Sequence, residues 1–391
     1  MDPPVYLAGA ARTAIGSFRG VFSETPAPVL GSAAVRASLE RGGVPPEAVS
    51  EVIFGNVISA GLGQNVARQV AIGAGLDVTV GATTVNKVCG SGLKAVMLAA
   101  QAVRCGDAEV VVAGGAENMS RAPYLVERAR KGDRLSDEDL VDTLLRDGLW
   151  DVYGDAHMGT YGDRCAVRCG FTREDQDDFA IESYRRAIAS AEILASEIVP
   201  VDAPAGGHPV TILADEEPAR FNEQKLRTLK PAFGADGTVT AGNASSINDG
   251  AAAVVVLSEA KLKELNVTPQ GRILGYASAA REPEWFTLAP ITAISNLLGN
   301  LQLGVGNIDL FEINEAFAAV TMAAMKELHI PHEKVNVHGG AVALGHPIGA
   351  SGTRTLVTLL NAMAVRKAKI GVDALCIGGG EAVAMAVASA S

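Results

Sequence analysis

Cys89 sits in Thr84-Val85-Asn86-Lys87-Val88-Cys89-Gly90-Ser91-Gly92-Leu93-Lys94-Ala95-Val96, between an apolar run and a segment with helical spacing at Leu93, Val96, Met97 and Ala100. A thiolate near neutral pH needs stabilisation, and a helix N-terminus offers free backbone N–H groups and the positive end of the macrodipole. Gly90, Ser91 and Gly92 would let a substrate carbonyl approach the backbone closely. The position suits a nucleophile, although a lone cysteine is more commonly a small buried apolar group. His346, in Gly345-His346-Pro347-Ile348-Gly349, lies just before Ser351-Gly352, which opens a second helix-like segment. A histidine in that setting suits a general base or a structural turn equally. Cys376 precedes Ile377-Gly378-Gly379-Gly380, a tight turn whose N–H groups can point into a cavity; taken alone it reads as a core cysteine. Asn314, in Asn314-Glu315-Ala316-Phe317, ends an apolar strand, where its amide could hold a water or an oxyanion or, more commonly, cap a helix.

The elements that must position these residues form two similar sets. Strand-like and helix-like segments alternate through residues 1–119, as in Glu51-Val52-Ile53-Phe54-Gly55-Asn56-Val57 and Glu109-Val110-Val111-Val112-Ala113-Gly114-Gly115, which predicts parallel strands with crossover helices. Residues 120–241 are charged and loop-rich, including Arg128-Ala129-Arg130-Lys131-Gly132-Asp133-Arg134, and read as an inserted excursion. A second α/β unit runs from Gly271 to the end and echoes the first. Ser91-Gly92 leads to Gly114-Gly115-Ala116-Glu117, and Ser351-Gly352 leads to Gly378-Gly379-Gly380-Glu381. More loosely, Gly43-Val44 to Gly55-Asn56 is matched by Gly304-Val305 to Ile313-Asn314. The expected division is therefore 1–119 plus 242–270, the excursion 120–241, and 271–391, with the equivalent turns of the two halves meeting at their junction.

Composition narrows the classes. A chain of 391 residues with 48% hydrophobic content can bury a large core, and its formal charge of -11 argues against nucleic acid or an anionic membrane as a partner. Cys89, Cys105, Cys165, Cys169 and Cys376 are too sparse for a disulfide framework. Cys165 and Cys169 lack a second Cys or His pair nearby, so they read as ordinary helix residues and no metal is expected. Without a basic leader or a long uninterrupted apolar run, the expected place is the cytoplasm, a removed organelle leader being the alternative.

Together, the blocks around Cys89, Asn314, His346 and Cys376 resemble, in order and spacing, the signature blocks of the thiolases, in particular those of the acetoacetyl-CoA class. The likeness covers almost the whole chain. It extends to Arg12-Thr13-Ala14-Ile15-Gly16, Gly114-Gly115-Ala116-Glu117-Asn118-Met119-Ser120, His157-Met158-Gly159 and Ala241-Gly242-Asn243-Ala244-Ser245-Ser246-Ile247-Asn248-Asp249-Gly250. It implies an α/β thiolase fold: two duplicated halves in a five-layered αβαβα core, with 120–241 as a loop domain covering coenzyme A. The implied reaction is the reversible Claisen condensation of two acetyl-CoA to acetoacetyl-CoA and coenzyme A. Cys89 would carry the acetyl group with His346 as its proton acceptor, and Cys376 would deprotonate the second acetyl-CoA. His346 and a water on Asn314 would bind one thioester oxygen, and the N–H groups of Cys89 and Gly378 the other. No cofactor is implied beyond coenzyme A thioesters as substrates.

By the same resemblance, His157, Met158, Phe233, Ser245 and Phe317 line the pantetheine tunnel. Within the basic segment Arg220-Phe221-Asn222-Glu223-Gln224-Lys225-Leu226-Arg227-Thr228-Leu229-Lys230, Arg220 is the first choice for the phosphates. A homotetramer, a dimer of dimers, is implied, its contact carried by the loop domain near Arg128–Arg134. The chain departs from the common pattern at Phe286-Thr287-Leu288-Ala289-Pro290, where bulky Phe286 could shape the acyl pocket. It has Pro218 where the potassium-dependent branch has a tyrosine, and Gly162-Asp163-Arg164 where Ala-Glu-Asn is common. The alternatives are a degradative 3-ketoacyl-CoA thiolase of broader chain length and a thiolase-like protein that only binds coenzyme A or lipid. The presence of Cys89, Asn314, His346 and Cys376 together argues against the latter and against a decarboxylating synthase, which would use two histidines.

Overall fold

The computed structural model describes residues 3–127, 129, 139–205 and 208–390; the basic run 128–134, Ala129 apart, lies outside them. The main strands in chain order are β1 (Val5–Thr13), β2 (Glu51–Gly55), β3 (Gly81–Val85), β4 (Val110–Asn118), β5 (Asn248–Ser258), β6 (Gly271–Ala280), β7 (Leu310–Ile313), β8 (Ile370–Ile377) and β9 (Glu381–Ser389). They lie side by side in the order β7-β8-β9-β6-β1-β5-β4-β2-β3. The helices used below are α1 (Ala27–Gly42), α2 (Ser91–Cys105), α3 (Met158–Cys169), α4 (Ala289–Leu301), α5 (Ala318–Leu328) and α6 (Ser351–Arg366).

The parallel strands with crossover helices expected from residues 1–119 are found, and antiparallel strands join them from elsewhere in the chain. Strand β2 runs parallel to β3 and β4, and β7 parallel to β8, but β5 is antiparallel to both β4 and β1. Likewise β9 is antiparallel to β8 and β6. Connection length is the reason. Ile377 pairs with Glu381 across the turn Gly378–Gly380, with Gly379 and Gly380 at φ +91° and +93°, and so short a link closes only an antiparallel pair. In the other half the equivalent antiparallel pair begins at Asn118 and Asp249, so the whole stretch between β4 and β5 occupies the place of that turn.

Strand alternation builds the layers. Val111 and Ala113 of β4 and Val254 and Val256 of β5 face Leu93, Val96 and Met97 of α2 and Leu356 and Leu360 of α6. From the opposite side, Leu375 and Ile377 of β8 and Val383, Met385 and Val387 of β9 reach the same cluster. The alternate residues point outward: Val110, Val112 and Val255 onto Leu30 and Val35 of α1, and Val372, Ala384 and Ala386 onto Ile294 and Leu297 of α4 and Ala324 of α5. The result is a five-layered αβαβα sandwich with the duplicate helices α2 and α6 as its middle layer.

Those two helices meet at glycines. A Cβ on Gly92 would lie 2.7 Å from the Thr353 N, and one on Gly352 only 2.3 Å from the Leu93 N. The obstacle is backbone, which cannot step aside as a side chain could. Gly352→Ala is expected to cost about 3 kcal/mol or more in urea unfolding; a loss below about 1 kcal/mol would mean that the helices separate freely.

Candidate active site

The nucleophile candidate stands at a strained elbow. Val88 has φ +45°, which is unfavourable for a β-branched residue. Local bonds hold it there: its N–H donates to Asn86 Oδ1 at 3.0 Å, and its carbonyl accepts from Ser91 Oγ at 2.6 Å and Ser91 N at 3.0 Å. Cys89 is thereby turned to the start of α2, facing a cavity of about 410 Å³. The backbone N–H groups of Gly378 and of Cys89 itself are directed at the sulfur and favour its thiolate. Burial outweighs them and, with a contribution from the carboxylate of Glu117, pushes the thiol up to about 11. The helix N-terminus thus does not leave a resting thiolate, contrary to the expectation from sequence; depth of burial decides the sign.

His346 is buried and lines the same cavity. Its backbone N–H donates to Asn248 Oδ1 at 2.9 Å, and its Nδ1 lies 2.5 Å from Ser351 Oγ. Its Nε2 has no partner within the chain. Burial, aided by the positive charge of Arg354, pushes the imidazole down to about 3, so it is neutral and able to accept a proton. The loop carrying it is tied to the first half by Glu117, whose carboxylate accepts from the N–H groups of Val57, Ile58 and Gly349 at 2.9–3.1 Å. Burial pushes Glu117 up to about 7 in spite of these donors.

Cys376 and Asn314 are buried and do not themselves line the cavity. Cys376 is fully buried in a cluster with Phe286, Phe317 and Tyr161, against which Met158 and Phe233 pack. Burial, with Cys89 adding to it, raises its thiol well above the usual range. Asn314 follows β7, and neither its Nδ2 nor its Oδ1 has a partner. It does not cap α5, whose preceding residue is Phe317 with no side-chain cap. Its duplicate, Asn56 after β2, is by contrast fully engaged: Nδ2 donates to Ala116 O and Glu117 Oε1, and Oδ1 accepts from Ser59 Oγ. One copy of the asparagine braces the fold, while the other leaves both polar atoms of its amide without a partner.

The residues that the resemblance assigned to a tunnel lie together. His157, Met158, Arg220, Phe233, Ser245, Phe317 and Gly378 all line the cavity. His157 stacks on Phe233 at 4.6 Å, and Phe233 meets Phe317 edge-on at 6.2 Å. Helix α3 presses a glycine face against these rings: a Cβ on Gly159 would lie 2.2 Å from Phe233, and one on Gly162 3.2 Å from Phe317. This accounts for Gly162. Its neighbour Asp163 accepts from the N–H groups of Thr238 and Val239, pinning the loop that follows Phe233, and Arg164 pairs with Glu284. Arg220 is at the cavity and also bonded to Glu216 at 3.1 Å, whereas Arg227 is spent on Asp178 and Glu223. Phe286 lines the cavity with Tyr161 edge-on at 6.2 Å.

Other residues fall elsewhere. His338 is buried with Nδ1 2.7 Å from Ser190 Oγ and does not line the cavity. Cys165 and Cys169 pack on α3 against Leu288, Ala319 and Ala323, and among the described residues no cluster of His, Cys, Asp and Glu suits a metal. No helix among the described residues is long and apolar enough to cross a membrane. Sequence reading did not assign Phe18 and Leu149 of the lining, which carry no local signal, nor Ile247 and Ile348, although both lie in the blocks quoted above. It also missed Ser351, for which the Ser91–Ser351 repeat was a signal.

An amide bonded to nothing in the fold contributes no hydrogen bond to it. Asn314→Leu is therefore expected to leave unfolding stability within about 1 kcal/mol, or to raise it, while activity collapses. A loss above about 3 kcal/mol in urea titration would show that the amide braces the native state.

Comparison with known proteins agrees with this geometry. The family model "Thiolase, N-terminal domain" matches residues 5–260 and "Thiolase, C-terminal domain" residues 267–389. The cytosolic acetyl-CoA acetyltransferase ERG10 of Gibberella zeae is 51% identical over 388 residues, covering 98% of each chain. The acetyl-CoA acetyltransferase of Cupriavidus necator is 52% identical over 391 residues, again covering 98% of each. The crystal structure of Acat5 thiolase from Ascaris suum in complex with coenzyme A superposes with a TM-score of 0.93 at 43% identity, covering 100% of both chains. On sequence and fold alike, the chain belongs to the thiolase family.

Proposed function

We propose that this protein is an acetyl-CoA C-acetyltransferase, catalysing the reversible condensation of two acetyl-CoA to acetoacetyl-CoA and free coenzyme A. The observation that carries the reading is the convergence on one cavity of a thiol and a neutral imidazole, with a second thiol packed against the lining side chains Phe286 and Phe317. The relatives' names and the coenzyme A in the Ascaris suum structure support the substrate class.

In the first half-reaction the Cys89 proton passes to His346 Nε2 as the sulfur attacks the acetyl carbonyl. The bond to the coenzyme A sulfur breaks, and that sulfur leaves with the proton of Cys376. In the second, the Cys376 thiolate takes a proton from the methyl of another acetyl-CoA. The enolate attacks the acetyl group on Cys89, and the released thiolate recovers its proton from His346. Burial supports this division: a thiol pushed well above its usual range gives a thiolate basic enough to approach a carbon acid. The N–H groups of Cys89 and Gly378, and Asn314 through a water, stand where oxyanions would form; one such donor contributes on the order of 3 kcal/mol to the transition state.

In this account, residues 120–241 cover coenzyme A, with the thin thioester arm between Met158 and the rings of His157, Phe233 and Phe317, and Arg220 at the phosphate end. The protein works in the cytosol as a homotetramer, a reading supported by the cytosolic relative and by the exposed apolar side chains of Tyr124, Leu140 and Tyr153 in the excursion.

The test is thiolysis of 3-ketoacyl-CoA substrates from about four to sixteen carbons, a cavity of this size suiting a thin arm and a short acyl group. Activity confined to the shortest is expected; comparable rates on long chains would move the enzyme to the degradative, broad-range class.

A further inference from the structure

We infer that Ser351 is a positioning residue that holds the proton of His346 on Nδ1 and so keeps Nε2 free as the base; this rests on the reading of His346 given above. Ser351 is fully buried at the start of α6. Its Oγ lies 2.9 Å from the carbonyl of Pro347 and 2.5 Å from His346 Nδ1. A hydroxyl has one proton; given to the Pro347 carbonyl, which also accepts from the N–H groups of Ala350 and Ser351 at 2.9 Å, it leaves an Oγ lone pair facing Nδ1. His346 must then donate from Nδ1.

The duplicated half supports the same direction by analogy. Ser91, the counterpart at the start of α2, donates its hydroxyl proton to the carbonyl of Val88 at 2.6 Å. It accepts from the backbone N–H of Lys87 at 2.8 Å, a group that can only donate. The two serines therefore share one arrangement: donate back to a carbonyl of the preceding turn, accept from an N–H just before it. In the first half that arrangement braces the Cys89 elbow, and in the second its acceptor side has been given to the imidazole. The opposite tautomer would put a proton on Nε2, the atom that faces the cavity without a partner, and remove the lone pair the reaction needs.

The experiment uses the full chain labelled with ¹⁵N-histidine, the His346 signal being assigned by its loss in His346→Ala. The wild type is expected to show a single Nδ1–H tautomer. Ser351→Ala is expected to show a tautomer mixture and to acetylate Cys89 from acetyl-CoA about 10- to 100-fold more slowly with KM unchanged, and Ser351→Thr to recover both. A wild type protonated on Nε2 would overturn the inference without recourse to any variant. So would a folded Ser351→Ala protein with one tautomer and the wild-type acetylation rate. Wild-type acetylation by His346→Ala would instead overturn the base reading itself, leaving the tautomer result to stand apart.

Discussion

Everything in this molecule depends on the contact between the first turns of α2 and α6. Gly92 and Gly352 admit no side-chain atom between them, so the two duplicate helices start at almost the same place in the central layer. The loop before α2 carries Cys89, and the loop before α6 carries His346. The proposed nucleophile and base, separated by most of the chain, are thus delivered to one cavity by a steric constraint rather than by an attraction. The approach of the two sheets continues that constraint: a Cβ on Gly115 would strike the Gly349 carbonyl at 2.1 Å, and one on Gly90 would strike Ile377 at 2.4 Å.

The depth of this junction sets the chemistry. Burial pushes the thiols up and the imidazole down, so each reactive group rests neutral. An ion pair held permanently there would carry a large desolvation cost. A neutral set avoids that cost and forms charge only as substrate arrives with its own oxygen between prepared N–H groups. The duplication supplies the parts and then differentiates them. Asn56 and Ser91 brace backbone, while Asn314 is unpaired and Ser351 turns toward the imidazole.

Much of this was legible in the sequence because close packing leaves glycine as its trace. The blocks around Cys89, His346 and Cys376 were visible through their glycines, and the echo between halves pointed to duplication, while the five layers were implied only by the resemblance to the thiolases. Strand direction was not legible at β5, since the connection from Asn118 to Asn248 is long enough for either sense; only the equivalent turn at Gly378–Gly380 makes the hairpin evident. The sign of the Cys89 shift was hidden as well, because a helix N-terminus is a local feature and burial is not. Among the cations of the segment 220–230, composition alone does not distinguish Arg220, which the resemblance singled out and which lies at the cavity, from Arg227, which is paired with Asp178. Gly162 and Asp163 looked like unexplained departures until the rings of Phe233 and Phe317 and the loop after them were placed against α3.

The central claim is a division of labour between two thiols, with Cys89 as acyl carrier and the buried Cys376 as base. The most direct test is to incubate the protein with acetyl-CoA, quench in acid and locate the acetyl group by peptide mass spectrometry, in the wild type and in Cys376→Ala. The account requires acetyl on Cys89 in both, with condensation lost in the variant. Acetyl found on Cys376, or no acetylated cysteine at all, would contradict it.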